Sequence, residues 1–208
     1  VPVFRIINQN TGVEYNYIQR AIDNATVGDT IFLSSGEYNE NVIIDKQLTL
    51  TGNSLDSTII SGVISGLGSP PLFDSSLAGI EITADDVEVS DLQVSDFFKG
   101  IRLYNANGAI LSNIKIIDVT SQGVDISQSQ NVEIVGLHIE SSGLSGVYVG
   151  DVSSNFEMSD TVVIDVQSNG IEISSENAYI HNVTVLNNDG YGCYVHADGT
   201  GVIISGST

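Results

Sequence analysis

From residue 79 onward the chain is built of short runs in which apolar and polar residues alternate. A Gly-apolar-x-apolar phrase recurs as GIEI from Gly79, GIRL from Gly100, GVDI from Gly123, GVYV from Gly146, GIEI from Gly170 and GCYV from Gly192. The spacings are 21, 23, 23, 24 and 22 residues. A second marker keeps the same period. It is a single Gly, Asn or Asp between two alternating runs, at Asp91, Asn113, Gly136, Asp160, Asn182 and Gly206. Alternation with period two predicts strands, since successive side chains of an extended chain point to opposite faces. One period, Gly170 to Asp189, holds three such runs of about four residues each. Gly, Asn and Asp tolerate a left-handed backbone, so the second marker predicts a sharp bend rather than a hairpin. Because successive periods are alike, each strand is expected to pair in parallel with its equivalent one period on.

That pairing predicts three interior stacks. The first strand contributes Ile80/Ile82, Ile101/Leu103, Val124/Ile126, Val147/Val149, Ile171/Ile173 and Cys193/Val195. The second contributes Val87/Val89, Ala109/Leu111, Val132/Ile134, Phe156/Met158, Ala178/Ile180 and Val202/Ile204. The third contributes Leu92/Val94, Ile114/Ile116, Leu137/Ile139, Thr161/Val163 and Val183/Val185. No single coil can bury these residues, but a stack of coils can.

The amino-terminal part reads as the start of the same object. Ile18, Ala21, Ile22 and Ala25 share one helical face, and Gly28-Asp29 ends that segment. An amphipathic cap is expected where a solenoid would otherwise expose strand edges. First strands follow at Ile31/Leu33, Val42/Ile44 and Leu48/Leu50. Residues 62–78, with Pro70-Pro71, break the period and read as an inserted loop. The expected layout is one domain over 1–208: a strand and cap helix in 1–28, first coils in 29–61, the loop in 62–78, and regular coils in 79–208.

Composition narrows the partners. The chain has 6 Lys+Arg against 26 Asp+Glu, a net charge of -20. Nucleic-acid binders neutralise phosphates with Lys and Arg, so a nucleic-acid partner is not expected. An anionic membrane surface is disfavoured on the same ground, and no run approaches the roughly 20 apolar residues of a span. Cys193 is alone, which excludes an internal disulfide. The chain opens on Val1 without a charged region leading into an apolar stretch, which fits a processed mature chain, its signal peptide removed, or a trimmed one.

Residues 18–52 carry a resemblance. The order A-I-D-x-A…G-D-T-I-x-L…G-x-Y-x-E-x-V-x-I-x-K-x-L-T-L-x-G resembles the start of NosD-like and pectinesterase-like β-helix proteins, and is similar to openings in archaeal and bacterial surface β-helix proteins. The resemblance implies an all-β, single-stranded right-handed parallel β-helix of the pectin-lyase type. It would have three short strands and about 22 residues per coil, with an amino-terminal capping α-helix. It also implies an extracellular or cell-surface location. It is poor for activity, because one scaffold hosts many functions.

No family catalytic set is assembled. Pectinesterase-like enzymes add Gln and Asp groups, an Arg and Trp, whereas this chain has no Trp. Arg102 lies between Glu81 and Asp125 on neighbouring coils and reads as part of a charge ladder. Mannuronan epimerases of this fold carry Tyr-Gly-Phe-Asp-Pro-His, whose nearest equivalent here is Tyr191-Gly192-Cys193-Tyr194-Val195-His196. Tyr194 stands where that phrase has its carboxylate. Tyr191, His196 and Arg102 are therefore fallback catalytic candidates only. Tyr148 and Tyr194 point outward on the first strand, where aromatics can stack on sugars or fill a packed contact. Glu133 and Glu157 are expected one strand spacing apart, about 4.8 Å, and form a candidate cation site that would take Ca²⁺. No dedicated cofactor is implied. After the bend at Gly206 only Ser207 and Thr208 follow, so the last coil reads as lacking its third strand. A fragment of a longer chain, completion by a partner strand, and end-to-end stacking all remain open. Cys193, Gly206, Ser207 and Thr208 line the edge on which a second copy or polymer would associate. The expectation is a non-catalytic structural or adhesive surface solenoid that self-associates as a layer, sheath or filament. The alternative is a polysaccharide-active enzyme or a carbohydrate-binding module.

Overall fold

A computed structural model describes residues 5–62 and 78–208. The chain opens with β1 (Ile6–Asn8), β2 (Glu14–Tyr15) and one short helix, α1 (Ile18–Asn24). The first coil holds β3 (Thr30–Leu33), β4 (Gly36–Tyr38) and β5 (Val42–Ile44). The second holds β6 (Thr49–Gly52), β7 (Thr58–Ser61) and β8 (Ala78–Ile82). Beyond it, the second and third strand segments of each coil run together as one bent strand. The order is β9 (Glu88–Ser95), β10 (Lys99–Tyr104), β11 (Ile110–Val119), β12 (Val124–Ser127), β13 (Glu133–Ser142), β14 (Val147–Val149) and β15 (Ser154–Ile164). Then follow β16 (Ile171–Ile173), β17 (Glu176–Leu186), β18 (Cys193–Val195) and β19 (Ile203–Ser205). The result is an all-β parallel solenoid of about 7 turns. Most of the inserted loop, residues 63–77, lies outside the described residues.

Two sheets wind along it. The smaller is parallel throughout, in the order β5-β8-β10-β12-β14-β16-β18. The larger runs β1-β3-β6-β9-β11-β13-β15-β17-β19, with β2 beyond β1 and β4-β7 joining at β9. Register follows the one-period offset: Ile80, Ile101, Val124, Val147 and Ile171 stand in line. All five are at most 2% exposed. Each large aliphatic buried this way contributes roughly 1.5–3 kcal/mol by transfer from water.

The bends have a backbone cause. Asp91, Asn113, Gly136, Asp160, Asn182 and Gly206 all have φ between 50° and 69°. Two further left-handed columns accompany them. One precedes the second strand segment at Asp86, Gly108, Asn131, Asn155, Asn177 and Gly201, and one follows the third at Asp96, Asp118, Ser141, Asp165 and Asn187. Asn and Asp bear this conformation because their short side chains hydrogen-bond locally. Asn113 Nδ2 donates to Asp91 Oδ1 at 2.6 Å, and Asn155 Nδ2 to Asn131 Oδ1 at 3.1 Å. Part of the acidity is therefore architectural: six of the 26 acidic residues (Asp86, Asp91, Asp96, Asp118, Asp160, Asp165) are bend residues.

The glycine column Gly100-Gly123-Gly146-Gly170 has a different origin. Its φ angles are not left-handed; space is what it lacks. A Cβ on Gly123 would lie 2.6 Å from the Gly146 carbonyl oxygen and 2.8 Å from Ile139 Cδ1. The third-strand side chains fill the room that the missing Cβ leaves.

The amino-terminal end is closed by specific bonds. β1 pairs antiparallel with β3 and covers the first edge of the larger sheet. On the smaller sheet, the Gln19 side chain does the same for β5: its Oε1 accepts from Ile43 N at 2.7 Å and its Nε2 donates to Ile43 O at 3.1 Å. Ile18, Ala21 and Ile22 bury the expected helix face. Tyr17 at the N-cap makes no side-chain bond; the Glu40 carboxylate accepts from Ile18 N at 2.7 Å and Gln19 N at 3.2 Å instead. Lys46 Nζ donates to Asp23 O and Ala25 O at the other end of the helix. Burial pushes the Glu40 carboxyl up, against those two backbone hydrogen bonds. Asp29 accepts from Thr26 N and Asn8 Nδ2, which holds its carboxyl below its ordinary value. Tyr38 is buried and donates to Ser34 O at 2.8 Å. Glu40, Lys46, Asp29 and Tyr38, prominent in the opening motif, thus fasten the cap.

Candidate functional site

Outward positions of the smaller sheet form a column, in register, of Ile43, Glu81, Arg102, Asp125, Tyr148, Glu172 and Tyr194. It is the face on which the aromatic and ionisable residues of the first strands collect.

At its middle, Arg102 Nη1 donates to Glu81 Oε1 at 3.0 Å, and its guanidinium lies 5.0 Å from the Tyr104 ring centroid. Arg102 Nε is buried and makes no hydrogen bond. The expected ladder through Asp125 is not formed. Asp125 is paired with Lys99 instead, which arrives from the coil before through the extra residues at the start of β10. The charges of this stretch neutralise one another in two separate pairs.

Farther along, Tyr191, Tyr194 and His196 come together. The tyrosine rings stack with centroids 5.5 Å apart and planes inclined by 19°. His196 meets Tyr194 edge-on at 4.7 Å. His196 Nε2 lies 2.8 Å from Glu172 Oε1. Glu172 Oε2 accepts from Ser145 Oγ at 2.6 Å and Asn169 Nδ2 at 3.4 Å. Burial raises the Glu172 carboxyl, but the bonds from Ser145, His196 and Asn169 outweigh it and hold it below the ordinary range. Glu172 was missed from sequence because His196 and Glu172 are 24 residues apart and only the one-coil register joins them. Arg102 is not part of this group: it is four strands from Tyr194 along the column, roughly 19 Å at 4.8 Å per strand. Tyr191 and His196 are thus brought together, and Arg102 is left outside.

On the second-strand face, Glu133 and Glu157 are in register as expected. From the next coil, His181 Nε2 lies 3.7 Å from Glu157 Oε1. Among the described residues no group of three or more His, Cys, Asp or Glu is arranged to hold a metal ion.

At the carboxy-terminal end, Ser207 and Thr208 do more than trail from the bend. Thr208 N donates to Val183 O at 2.9 Å, Val185 N donates to Thr208 O at 2.7 Å, and Ser207 Oγ accepts from Val183 N. These bonds tie both residues to the ladder of the coil before. Beside it a recess of about 210 Å³ opens between Ile180, Val183, Val185, Cys193 and Ile204. Cys193 is a free thiol, and burial raises its pKa.

Parallel strands in register, three left-handed corner columns and a capped end define a parallel β-solenoid. The chain belongs to the right-handed beta helix region family, whose sequence pattern matches residues 72–208. A cell surface glycoprotein of Methanothermus fervidus is 32% identical over 108 residues, 51% of this chain and 16% of that protein. The A-module of the Azotobacter vinelandii mannuronan C-5 epimerase AlgE6 superposes with a TM-score of 0.79 at 18% identity, over 90% of this chain and 57% of that one. Pectin methylesterase PemA from Erwinia chrysanthemi superposes with a TM-score of 0.60 at 14% identity, over 86% of this chain and 64% of that one. At such identities the structural likeness shows the fold alone. The chain spans under two thirds of the length of each of these proteins. No helix among the described residues is long and apolar enough to cross a membrane.

Proposed function

We propose that this chain is a non-catalytic, extracellular or cell-surface solenoid with a structural or adhesive role. The observation that carries the reading is the pairing on the smaller sheet. Lys99 is taken by Asp125 and Arg102 by Glu81. General acid-base chemistry needs a group free to exchange a proton with substrate. Here the two cations of the face are committed to carboxylates. The similarity to a cell surface glycoprotein supports the location.

Self-association is part of the proposal, through the end carrying Cys193, Gly206, Ser207 and Thr208. At the opposite end β1 lies along β3 and the Gln19 amide bonds the Ile43 backbone. The experiment is sedimentation and electron microscopy of the purified chain, run beside turnover assays on mannuronan and on pectin. Assemblies without turnover are expected. Monodisperse monomers that convert either polymer would overturn the reading.

The second reading is a polysaccharide-active enzyme. The His196–Glu172 hydrogen bond beside Tyr191 favours it, because a carboxylate can orient an imidazole for proton transfer. Turnover lost on His196→Ala would establish it.

A further inference from the structure

The pattern Asn-x-Ser/Thr, the acceptor of asparagine-linked glycans, occurs twice in the chain: at Asn24-Ala25-Thr26 and at Asn182-Val183-Thr184. The fold treats the two differently. Asn24 is the last residue of α1, and both it and Thr26 are exposed. Its Nδ2 donates to Arg20 O at 2.8 Å, one helical turn back, which uses one of its two N–H groups. Ala25 leaves the helix in an extended conformation, with φ -72° and ψ 151°. Ala25 N donates to Ile22 O at 3.0 Å and Thr26 N to Asp29 Oδ2 at 2.9 Å, and none of the three residues lies in a strand. A surface segment held by a few local bonds opens at low free energy.

Asn182 is the opposite case. It occupies a left-handed corner at φ 51° within β17, and its Nδ2 donates to Asp160 Oδ1. Val183 is buried, and Val183 and Thr184 are in register with Thr161 and Val162 of β15. These contacts are with the coil before, so they hold whatever follows. An enzyme that draws this segment into a cleft must first break the ladder between two coils.

Charge separates the two sites in the same direction. The donor in this chemistry is a lipid-linked glycosyl pyrophosphate, an anion. Arg20 is exposed one turn from Asn24, and Lys46 Nζ reaches Asp23 O and Ala25 O on either side of it. Around Asn182, residues 116–208 contribute carboxylates but no Lys or Arg, which disfavours the approach of an anion.

We propose that Asn24 is the acceptor of an asparagine-linked glycan and that, in the folded chain, Asn182 is not. The proposal rests on the extracellular reading and deepens it. In the transfer, Asn24 Nδ2 bonds to the anomeric carbon of the donor as the bond from that carbon to the phosphate oxygen breaks. One amide proton goes to a base of the transferase, and the lipid pyrophosphate leaves. The remaining N–H can still donate to Arg20 O. The glycan stands beside the cap helix, at the opposite end of the described coils from Cys193, and leaves the associating end bare.

The test incubates the folded, unglycosylated chain with an N-oligosaccharyltransferase and a lipid-linked oligosaccharide. Tryptic cleavage after Arg20, Lys46 and Lys115 places the two sites on peptides 21–46 and 116–208, which mass spectrometry distinguishes. Glycan is expected on 21–46 and not on 116–208, whereas short synthetic peptides spanning either site both accept it. Asn24→Gln and Thr26→Ala abolish the modification, Thr26→Ser retains it, and Thr184→Ala changes nothing. Unaltered thermal midpoints confirm that the variants are folded. A bare 21–46 peptide from the folded chain, or equal transfer to 116–208, overturns the assignment. Transfer in vitro combined with a bare Asn24 on the natively produced chain would instead count against the extracellular location and leave the acceptor in place.

Discussion

Two glycines on one coil, Gly123 and Gly136, separate two physical demands that look identical in the sequence. At Gly136 φ is +69° and an added Cβ would find only ordinary contacts, with Asn113 N at 3.6 Å and Cα at 3.7 Å. The cost of Gly136→Ala is therefore conformational, about 1–2 kcal/mol for an L-residue forced into the left-handed region. Gly136→Asn recovers most of it, because Asn113 and Asn182 occupy the same corner at φ 50° and 51°. At Gly123 the order inverts. An added Cβ sits 2.6 Å from Gly146 O, and that carbonyl also accepts from Val124 N at 2.9 Å. A fixed ladder cannot retreat by the several tenths of an ångström required, so Gly123→Ala costs about 1–3 kcal/mol by overpacking, and Gly123→Asn costs more. Because the obstacle is backbone, adding Ile139→Ala does not restore Gly123→Ala. The assay is urea unfolding followed by circular dichroism, with thermal midpoints expected to fall by roughly 2–4 °C per kcal/mol for a chain of this size. Amide exchange at Val124 provides a local readout that does not depend on the solenoid unfolding in one step. Equal losses for Gly136→Ala and Gly136→Asn would refute the corner reasoning. Rescue of Gly123→Ala by Ile139→Ala would refute the crowding.

Three further outcomes are expected. Glu40→Ala leaves Ile18 N and Gln19 N without their acceptor and costs about 1–2 kcal/mol, as loss of a helix N-cap does; faster amide exchange within α1 checks it. The pH response divides by sign: Glu172 and Asp29 lie below their ordinary values, so their contribution is present above the usual carboxylate range and fades as pH falls, while Glu40 lies above its own and opposes that trend. Acid unfolding should therefore be flatter in Glu172→Gln and steeper in Glu40→Gln. Ile126→Ala, at a fully buried position in the middle of the stack, is expected to cost about 2–5 kcal/mol, whereas Ile203→Ala, at 58% exposure, stays within about 0.5 kcal/mol; urea midpoints compare them.

Legibility differed between the levels of this molecule because period and partnership are different kinds of information. The interior stacks were readable because alternation and a constant offset determine parallel register, and Ile80, Ile101, Val124, Val147 and Ile171 stand in line as expected. Gly, Asn and Asp occupy two corner columns every time, and the one that separates two alternating runs, Asp91 to Gly206, was readable. The column at Asp96, Asp118, Ser141, Asp165 and Asn187 was not, since Ser141 interrupts the residue type although its φ is 62°. β4 and β7 were missed because three or four residues before the period is established give alternation too little length to register. Side-chain partners were the least readable. Lys99 reaches Asp125 across 26 residues and Glu172 reaches His196 across 24, so each pair becomes adjacent only after the coil length and the outward column are both known. The opening motif shows the consequence for function. Its Tyr38, Glu40 and Lys46 appear in a pattern shared with enzymes of this fold. In the folded chain Glu40 and Lys46 hold the two ends of α1, and Tyr38 donates to Ser34 O. A solenoid must close its first edge whatever chemistry its later coils perform, so a signature made of cap fasteners accompanies enzymes and non-enzymes alike. Evidence for activity has to come from the outward column, where Arg102 meets Glu81 and Glu172 meets His196.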